Sequence, residues 1–427
     1  MTEVVCVVGQ GYVGLPLGLA FDEEEYDVVG FDIDQSAVEA LSAGTDPTEA
    51  VGDDAVADSD VTFTTAAERI ERADYVLVTV PTPVDDMGDP NLEFVESAGR
   101  TVGDHLTPDT TVVLESTVYP GVTNERFAPL LEDRSGLTAG EEFSVGYSPE
   151  RLSPGDEGRG LREVTKIISG DTEATLQDLA ELYGSVVDAG VYQAPSIETA
   201  EAAKVMENVQ RDLNIALANE LSLICDHLDI DTEAVLDAAG TKWNFHDYSP
   251  GLVGGHCIPV DPLYLAHGSE RAGYSPNLIL QSREVNEYMP KHVAELAMKG
   301  LNATGNVLAD SQLLALGLAY KPNVGDIRTS EMNRVIGALQ EYGIEVDGFD
   351  PHASDEEIEE TFDVDVKSEL SFAGYDGLVV GTGHDEFASI DLDDAAAALD
   401  GDPVLVDVMG LYDDDRAREA GFEYRTL

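Results

Sequence analysis

Long apolar stretches are absent from this 427-residue chain: no run approaches the roughly 18 residues that a helix needs to span a bilayer. We therefore expect no membrane partner. Cysteine is also scarce. Cys6, Cys225 and Cys257 are odd in number and far apart, which argues against a disulfide framework and against a zinc site, so we expect free thiols and no metal. The acidic start, MTEVVCVVGQG, lacks the basic segment and long apolar core of a signal peptide and predicts a cytoplasmic protein.

Positively charged residues are few. The chain has 85 Asp and Glu against 23 Lys and Arg, a net charge of -62, which excludes nucleic acid as a partner. The apolar content of 43% is nevertheless that of a folded protein rather than of a disordered acidic tail. Because the acidic residues are spread along the whole sequence, as in proteins adapted to molar salt, we infer a halophilic protein. Each lysine becomes informative against this background.

A glycine-rich turn follows the first apolar run. The segment VVCVVGQGYVGLPLGLAFDEEEYDVVGFDID, residues 4–34, predicts strand, turn, helix and strand, a βαβ unit. Gly9, Gly11 and Gly14 form the pattern GxGxxG, and Asp32 ends the second strand, where an acid would bind a ribose 2′-hydroxyl. The competing interpretation is a plain tight turn. The spacing to Asp32 favours a dinucleotide site, and the acid favours NAD over NADP.

The pattern of apolar residues in the remaining chain changes twice, first from strand-like to helical and then to alternating strands and helices. The runs YVLVTVP and TVVLEST predict further buried parallel strands, and a helical pattern without glycine or proline then runs from Glu198 to about Leu228. After more helical segments, QLLALGLAY, IEVDGFDP, GLVVGT and PVLVDV alternate with helical stretches. We predict an α/β protein in which two Rossmann-like doubly wound domains are joined by a central all-helical segment. The predicted boundaries are 1–190 for the NAD-binding domain, 191–302 for the helical domain and 303–427 for the third domain.

Two polar residues of the long predicted helix share one face. Lys204 and Asn208 are four residues apart, and such neighbouring donors suit a developing oxyanion. The competing interpretation is a solvated helix face. The rarity of lysine in this chain weighs against it.

A cysteine stands in a loop rich in glycine and proline, GLVGGHCIPVDPLYL, residues 251–265. Cys257 is followed four residues later by Asp261, and the loop lets the backbone approach a ligand closely. Cys257 has the alternative role of a small filler, and Asp261, followed by Pro262, that of a helix N-cap. We interpret His256 as a structural loop residue and Cys257 as a nucleophile.

The first strand of the third domain is followed by YKPNVGDIR instead of a glycine fingerprint. This segment offers Lys321 and Arg328, which suit a phosphate-bearing ligand other than NAD. The competing interpretation is a salt-bridged loop.

Eight motifs spread over nearly the whole chain carry a resemblance to a known family. They are GQGYVGLPL, FDIDQSAV, VPTPVDD, ESTVYPGVT, YSPERLSPGD, AEAAKVMENVQRDLNIALANE, KWNFHDYSPGLVGGHCIPVDPLYL and GLAYKPNVGDIR. In this order they resemble the UDP-glucose/GDP-mannose dehydrogenase family. The chain is most similar to the branch that acts on UDP-N-acetylhexosamines, including the Vi-antigen-type UDP-N-acetylglucosamine 6-dehydrogenases. UDP-glucose members usually carry Pro-Glu-Phe-Leu where this chain has Pro149-Glu150-Arg151-Leu152.

The resemblance implies a role for each matching residue. Cys257 matches the nucleophile, Lys204 and Asn208 an alkoxide-stabilising pair, Asp261 a group acting through water, and Glu150 a candidate base for thioester hydrolysis. Thr117 matches a residue that positions water or substrate. The residues expected to contact NAD are Gly9, Gly11, Tyr12, Val13, Gly14, Asp32, Pro81, Thr82 and Thr117. The residues expected to contact the UDP-sugar are Glu150, Arg151, Leu152, Lys204, Asn208, Tyr248, Gly254, Lys321 and Arg328.

The implied reaction is a four-electron, NAD-dependent oxidation of the C6 hydroxyl of a UDP-N-acetylhexosamine, through a thiohemiacetal and a thioester on Cys257. It would serve surface polysaccharide or glycan biosynthesis, and the family's long central helix implies a homodimer or a higher homo-oligomer. Three alternatives stay open: a UDP-glucose 6-dehydrogenase, a two-electron Rossmann dehydrogenase, and a non-enzymatic NAD-binding regulator. The last two would have no need of the Cys257 loop.

The charge predicts that salt stabilises the protein. Screening length falls from about 30 Å at about 0.01 M salt to about 3 Å at 1 M, so the self-repulsion of the acidic surface becomes local in brine. Across about 0.05 to 3 M KCl, the thermal midpoint should rise and the apparent KM for the anionic UDP-sugar should fall. Differential scanning fluorimetry and initial rates measure both. Highest stability and activity in the most dilute samples would contradict the halophilic interpretation.

Overall fold

The computed structural model describes residues 2–48, 50–85, 87–151 and 160–427. The chain divides into two units. The first contains Met1–Glu207 and Leu263–Ser275, and the second contains Asn208–Pro262 and Pro276–Leu427. The chain therefore passes between the units three times, and two of these crossings fall inside or at the start of a helix.

The first unit is built on an eight-stranded sheet. Its strands are β1 (Val4–Val8), β2 (Asp27–Phe31), β3 (Thr62–Thr64), β4 (Tyr75–Val78), β5 (Thr111–Leu114), β6 (Ser144–Tyr147), β7 (Lys166–Gly170) and β8 (Val191–Gln193). The order across the sheet is β3-β2-β1-β4-β5-β6-β7-β8. Neighbouring strands are parallel except β6 and β7, which are antiparallel. The central strands are continuous runs of Val and Leu because helices cover both faces of such a sheet.

The helices of the first unit follow the strands in alternation. They are α1 (Gly14–Glu23), α2 (Gln35–Ser42), α3 (Asp53–Ala57), α4 (Glu93–His105), α5 (Ala128–Ser135) and α6 (Glu173–Val186). Phe21 of α1 and Tyr183 of α6 are fully buried and pack edge to face against each other, in a core that also contains Leu77 of β4. This packing fixes α1, and with it the turn that precedes α1, on the sheet.

Four helices lie between the two sheets in the sequence. They are α7 (Ile197–Leu228), α8 (Thr232–Gly240), α9 (Asp261–Arg271) and α10 (Asn277–Ala303). Helix α7 has 32 residues and continues from the first unit into the second. In the second unit the buried Asp212 of α7 binds Arg283 of α10 at 2.6 Å and Asn286 of α10 at 2.8 Å. A buried ion pair of this kind is costly to break from one side, so it holds the two helices in register.

The second unit contains a six-stranded parallel sheet. Its strands are β9 (Gln312–Leu316), β10 (Glu345–Phe349), β11 (Asp365–Val366), β12 (Gly377–Val380), β13 (Val404–Asp407) and β14 (Glu423–Thr426), in the order β11-β10-β9-β12-β13-β14. The helices that alternate with these strands are α11 (Met332–Gln340), α12 (Asp355–Phe362), α13 (Leu392–Ala398) and α14 (Asp414–Glu419). A core on each face of the sheet buries its Leu and Val side chains.

Part of the acidic excess stabilises helix ends. Asp34, Asp231, Asp391 and Asp413 are the N-caps of α2, α8, α13 and α14, and the carboxylate of each accepts backbone N–H groups of the first turn. A negative charge at a helix N-terminus also interacts favourably with the helix dipole. These aspartates therefore stabilise the fold.

The architecture confirms the predicted fold class of two Rossmann-like domains with a helical segment between their sheets. The antiparallel β6–β7 pair departs from the expected parallel order, and β8 extends the first sheet to Gln193, past residue 190. Both features depend on how neighbouring strands pair, which the periodicity within one strand does not report. Among the described residues, no helix combines the length and the apolar character that a membrane span requires.

Candidate active site

The carboxyl ends of five neighbouring strands lie along one edge of the first sheet. Strands β2, β1, β4, β5 and β6 are adjacent and parallel, so the segments that follow them emerge at the same edge. The predicted site residues of this part of the chain stand there: Asp32 after β2, Gly9–Gly14 after β1, Pro81 and Thr82 after β4, Thr117 after β5 and Glu150 after β6. The strand order reverses between β1 and β4, where open α/β sheets bind ligands.

The glycines of the first turn meet two different requirements. Gly9 has φ of +100°, in the left-handed region, and a Cβ on Gly14 would lie 1.9 Å from the carbonyl oxygen of Gly9. Internal geometry therefore requires glycine at both positions. A Cβ on Gly11 would meet no protein atom within 4 Å. Packing does not require glycine there, whereas the predicted close approach of a dinucleotide would.

Helix α1 begins at Gly14 with Val13 as its N-cap, and none of the described side chains caps it. Its first N–H groups and the helix dipole thus suit a diphosphate. Tyr12, in the same turn, is 50% exposed. The turn is braced by a residue that the sequence did not identify, since the hydroxyl of Thr79 donates to the carbonyl oxygen of Gly9 at 2.9 Å.

Asp32 is held at the end of β2 by backbone donors. Its Oδ2 accepts from the N–H of Gln10 at 2.7 Å, and its Oδ1 accepts from the N–H of Asp34 at 2.9 Å. Each carboxylate oxygen has a further lone pair available for a ribose hydroxyl. Together with the glycine turn and the start of α1, Asp32 fits NAD.

The segment after β5 is anchored by the residue before Thr117. Ser116 donates its hydroxyl to the carbonyl oxygen of Val80 at 2.6 Å, which ties this segment to the Pro81–Thr82 segment after β4. Thr117 itself is half-buried, Pro81 is exposed and Thr82 is half-buried. The bond therefore sets the spacing between two stretches of backbone that contain predicted site residues.

A buried carboxylate on α7 fixes the turn that follows Thr117. Glu201 accepts from the N–H of Gly121 at 2.6 Å, and from the N–H and hydroxyl of Thr123 at 2.9 and 2.7 Å. Burial raises the pKa of Glu201 to about 7, against the opposing effect of these hydrogen bonds. The sequence analysis missed Glu201 because its partners lie about eighty residues earlier.

Glu150 lies at the carboxyl end of β6 in contact with a buried lysine. The Nζ of Lys166 is 3.1 Å from Glu150 Oε2 and 2.6 Å from Glu115 Oε2. Neither Lys166 nor Glu115 was identified from the sequence. The guanidinium of the neighbouring Arg151 pairs with Glu207 of α7, with Nη2 to Oε1 at 2.6 Å, so a substrate would share Arg151 with that carboxylate. Leu152, predicted to bind substrate, lies outside the described residues.

Helix α7 positions Lys204 and Asn208 one turn apart, and both side chains are buried. The competing interpretation of a solvated helix face is therefore excluded for Lys204 and Asn208. In the second unit, Asn208 Nδ2 donates to Asp261 Oδ2 at 2.6 Å, and the backbone N–H of Asp261 donates to the carbonyl oxygen of Cys257 at 2.9 Å. The thiol-bearing residue Cys257 is exposed. Asn208 retains a second amide N–H that this bond does not use.

The loop of Cys257 packs on the carboxyl edge of the second sheet. A Cβ on Gly254 would lie 2.7 Å from the carbonyl oxygen of Thr329 and 3.1 Å from Tyr320 Cβ, and Gly255, with φ of +90°, donates its N–H to Thr329. Both glycines thus let the loop lie directly against the segment after β9. Tyr248, earlier in this loop, accepts from Gln210 of α7 at 3.1 Å.

The basic segment after β9 contains an internal ion pair. Arg328 donates from Nε and Nη2 to Asp326 at 2.9 and 2.8 Å, and His256 lies 3.0 Å from the same carboxylate. Partial burial opposes the charge of Asp326, but these partners hold the pKa of its carboxyl below the ordinary range. His256 therefore has the structural role expected of it. Lys321 is half-buried on the same segment.

His352, His384 and Glu386 bring possible metal ligands within 4.8 Å of one another in the second unit. Both ring nitrogens of His384 are nevertheless engaged, since Nδ1 accepts from the N–H of Asn323 at 2.9 Å and Nε2 donates to Asp350 at 3.0 Å. A metal would break one of these bonds. We therefore assign His384 to holding the segment of Lys321 on the sheet.

Three family models match successive parts of the sequence. The NAD binding domain of the UDP-glucose/GDP-mannose dehydrogenase family matches residues 3–187, its central domain residues 198–288, and its UDP binding domain residues 314–414. The chain belongs to the UDP-glucose/GDP-mannose dehydrogenase family. It is an oxidoreductase with NAD as its cofactor, and its third segment is a UDP-binding domain.

Relatives of this dehydrogenase match over most of their length. "Protein CapL" of Staphylococcus aureus is 45% identical over 86% of this chain and 86% of its own. The UDP-N-acetyl-D-glucosamine 6-dehydrogenase of Salmonella typhi is 42% identical over 91% of this chain and 92% of its own. The solved structure of a UDP-D-ManNAc dehydrogenase from Pyrococcus horikoshii matches with a TM-score of 0.89 and 30% identity, over 100% of this chain and 99% of that one.

The charge at the end of β2 predicts poor use of NADP by this dehydrogenase. A 2′-phosphate would meet the carboxylate of Asp32, so kcat/KM should be at least about tenfold lower with NADP than with NAD. Asp32→Asn keeps an oxygen for the Gln10 N–H while removing the charge. It should therefore lower the ratio of kcat/KM with NAD to kcat/KM with NADP. Asp34→Asn, which removes a charge from the same segment, is the matched control and should change it less. Equal kcat/KM for both cofactors in the unaltered enzyme would refute the assignment.

Proposed function

We propose that this dehydrogenase oxidises the C6 hydroxyl of a UDP-N-acetylhexosamine to the carboxylate in two successive steps, with Cys257 binding the intermediate covalently. The observation that carries the proposal is the chain of contacts behind Cys257. Asn208 is bonded to Asp261 at 2.6 Å, and Asp261 is bonded through its backbone to Cys257. This arrangement holds an amide donor and a carboxylate next to the residue that bears the thiol, which supports nucleophilic catalysis.

The proposed reaction balances as follows. NAD supplies the acceptor for each of two hydrides. Loss of the first hydride and of the hydroxyl proton converts the C6 alcohol to an aldehyde. The Cys257 thiol then adds to it, with the sulfur bonding to the carbonyl carbon and the thiol proton passing to the oxygen, to give a thiohemiacetal. Loss of the second hydride and the remaining hydroxyl proton gives a thioester. Water then cleaves the C–S bond, which releases the carboxylate and regenerates the thiol.

Lys204 and Asn208 are proposed to stabilise the oxygen charge that develops in these steps. Both are buried donors on one face of α7, and loss of one such donor typically costs about 10² to 10³ in rate. Asp261 is proposed to act through a water molecule. Glu150 is proposed as the base for thioester hydrolysis, and Thr117 as the residue that positions water or substrate.

The other residues proposed to contact the substrate are Arg151, Leu152, Tyr248, Gly254, Lys321 and Arg328. Lys321 and Arg328 follow the first strand of the UDP-binding domain, at the edge where phosphate groups are expected to bind. We propose Lys321 and Arg328 as cations for the diphosphate; the guanidinium of Arg328 also pairs with Asp326.

Two observations favour an N-acetylhexosamine over glucose. The relative from Salmonella typhi is named for UDP-N-acetyl-D-glucosamine, and the structure from Pyrococcus horikoshii is titled as a UDP-D-ManNAc dehydrogenase. The Arg151-Leu152 pair replaces the Phe-Leu that is usual in UDP-glucose members. The product, an acidic nucleotide sugar, would supply a glycosyltransferase for surface polysaccharide or glycan synthesis. UDP-glucose is the second candidate substrate.

We also propose a homodimer or higher homo-oligomer. Leu217, Ile224 and Leu228 of α7 are 68%, 48% and 61% exposed, and their spacing places them on one helix face that a second copy would cover. All three cysteines are free, as in reducing compartments, which supports a cytoplasmic location. The functional division into 1–190, 191–302 and 303–427 is part of the same proposal.

The proposal predicts two NADH for each UDP-sugar consumed. Cys257→Ala should abolish formation of the acid while leaving NAD affinity nearly unchanged, because the glycine turn is untouched. Cys225→Ala, which removes a buried thiol of the same unit, is the matched control and should retain the stoichiometry of two. A ratio of one with an accumulating aldehyde in the unaltered enzyme would refute the covalent mechanism.

The same assay run on four sugars tests the substrate. UDP-N-acetylglucosamine, UDP-N-acetylgalactosamine, UDP-N-acetylmannosamine and UDP-glucose are compared by kcat/KM at fixed high KCl. One of the three N-acetylated sugars should have the highest value. The highest value for UDP-glucose would overturn the assignment of substrate and leave the mechanism in place.

A further inference from the structure

A lysine is buried beneath the carboxyl edge of the first sheet. Lys166 is the first residue of β7, and its side chain is only 2% exposed in a chain that has few lysines. Its Nζ contacts two carboxylates, Glu115 at 2.6 Å and Glu150 at 3.1 Å. Glu115 is itself completely buried and accepts a hydrogen bond from the hydroxyl of Tyr183. These four residues form the Lys166 cluster.

The Lys166 cluster contains one basic side chain and two acidic side chains. Burial opposes the charge of Lys166, but Glu115 and Glu150 hold the pKa of its ammonium above the ordinary value. Burial likewise raises the pKa of Glu115, while Lys166 acts in the opposite direction. One ammonium therefore compensates two carboxylates, and the Tyr183 hydroxyl supplies a further donor. Loss of the ammonium would leave two acids together in a low-dielectric interior.

Glu150 is the member of the cluster at the edge of the sheet. Lys166 binds its Oε2, and the backbone N–H of Arg151 donates to its Oε1 at 2.5 Å. Its side chain is 12% exposed. Next to Glu150 in the described part of the chain, the Arg151 guanidinium pairs directly with Glu207 of α7. Lys166 thus contacts one oxygen of the Glu150 carboxylate directly, while the Arg151 N–H holds the other oxygen.

We propose that Lys166 is a positioning residue for hydrolysis of the enzyme-bound thioester: it holds Glu150 ionised and aimed from the edge of the sheet. This inference rests on the proposed function, in which Glu150 is the base. A base must be deprotonated and correctly placed when water attacks. The earlier steps, in which hydride leaves the sugar, do not need the Glu150 carboxylate. Loss of Lys166 should therefore separate oxidation from hydrolysis.

The test is Lys166→Met, followed by stopped-flow measurement of NADH at saturating NAD and UDP-sugar. Two NADH per active site should form in a rapid burst, and the following steady rate should fall by at least about tenfold, up to the roughly 10² to 10⁴ that complete loss of a base costs. The low-pH limb of the steady rate should move to higher pH, because the carboxylate without its cation binds a proton more readily. Lys166→Arg should restore the profile in large part.

Two further variants separate this role from a purely structural one. Lys166→Met in a Glu150→Gln background should slow hydrolysis no further, whereas a structural defect would add to the loss. Tyr183→Phe removes a hydroxyl from the cluster but keeps the ammonium, so it should lower the thermal midpoint without moving the pH profile. If Lys166→Met does not fold, the double variant Glu115→Gln/Lys166→Met leaves no unpaired charge at the buried end of the cluster, with Glu115→Gln alone as its control.

The outcomes distinguish the two levels of the proposal. If the unaltered enzyme forms one NADH per sugar and no acid, the proposed function fails. If it forms two NADH and the acid, but the Lys166 variants keep its steady rate and pH profile, the positioning role alone is overturned. A burst of two NADH followed by slow, pH-shifted turnover supports both.

Discussion

This structure depends on one geometric constraint, which is that the carboxyl ends of neighbouring parallel strands lie at the same edge of a sheet. A buried parallel sheet brings the segments after its strands to one edge, however far apart they are in sequence. In the first sheet this places the NAD turn, Asp32, Thr117 and Glu150 along one line of strand ends, and in the second it does the same for the segments of Lys321 and His384. The helical region adds Lys204, Asn208, Cys257 and Asp261, the residues proposed for the covalent chemistry.

Scarcity of positive charge gives the second constraint. Because the chain has 85 acidic residues, its cations readily form ion pairs with nearby carboxylates. Arg328 pairs with Asp326 in this way, and Arg151 pairs with Glu207. Exposed pairs of this kind contribute little stability, about 0 to 1 kcal/mol. Buried cations differ, because breaking such a pair from one side costs about 3 to 5 kcal/mol. The burial of Lys166 and Lys204 is therefore more informative than the surface pairs.

The sequence allowed much of the fold to be predicted because the relevant signals are local. The GxGxxG turn, the Val-rich central strands and the helix from Glu198 to Leu228 each lie within one short window, and the structure has α7 at Ile197–Leu228. The antiparallel β6–β7 pair could not be predicted in this way. Its direction depends on how β7 pairs with β6, which leaves no periodic signal within either strand.

The same distinction, between local signals and contacts that leave no local signal, applies to the residues of the candidate site. Residues that belong to a recognisable motif, such as Cys257, Asp261 and Asp32, could be proposed from the sequence. Thr79, Glu115 and Glu201 were missed because each acts through a bond to backbone or side chains that are far away in the sequence. Lys166 carried one signal, the rarity of lysine, but nothing local indicated that it would be buried against Glu150.

The central claim, that Cys257 binds the oxidised sugar covalently, is tested most directly by mass spectrometry. Glu150→Gln, mixed with NAD and the preferred UDP-sugar and quenched in acid, should retain the acyl group on the peptide that contains Cys257. Neutral hydroxylamine should release that group, as it does from a thioester, while the peptides of Cys6 and Cys225 stay unmodified. An unmodified Cys257 peptide in a sample that has formed two NADH per active site would contradict the account.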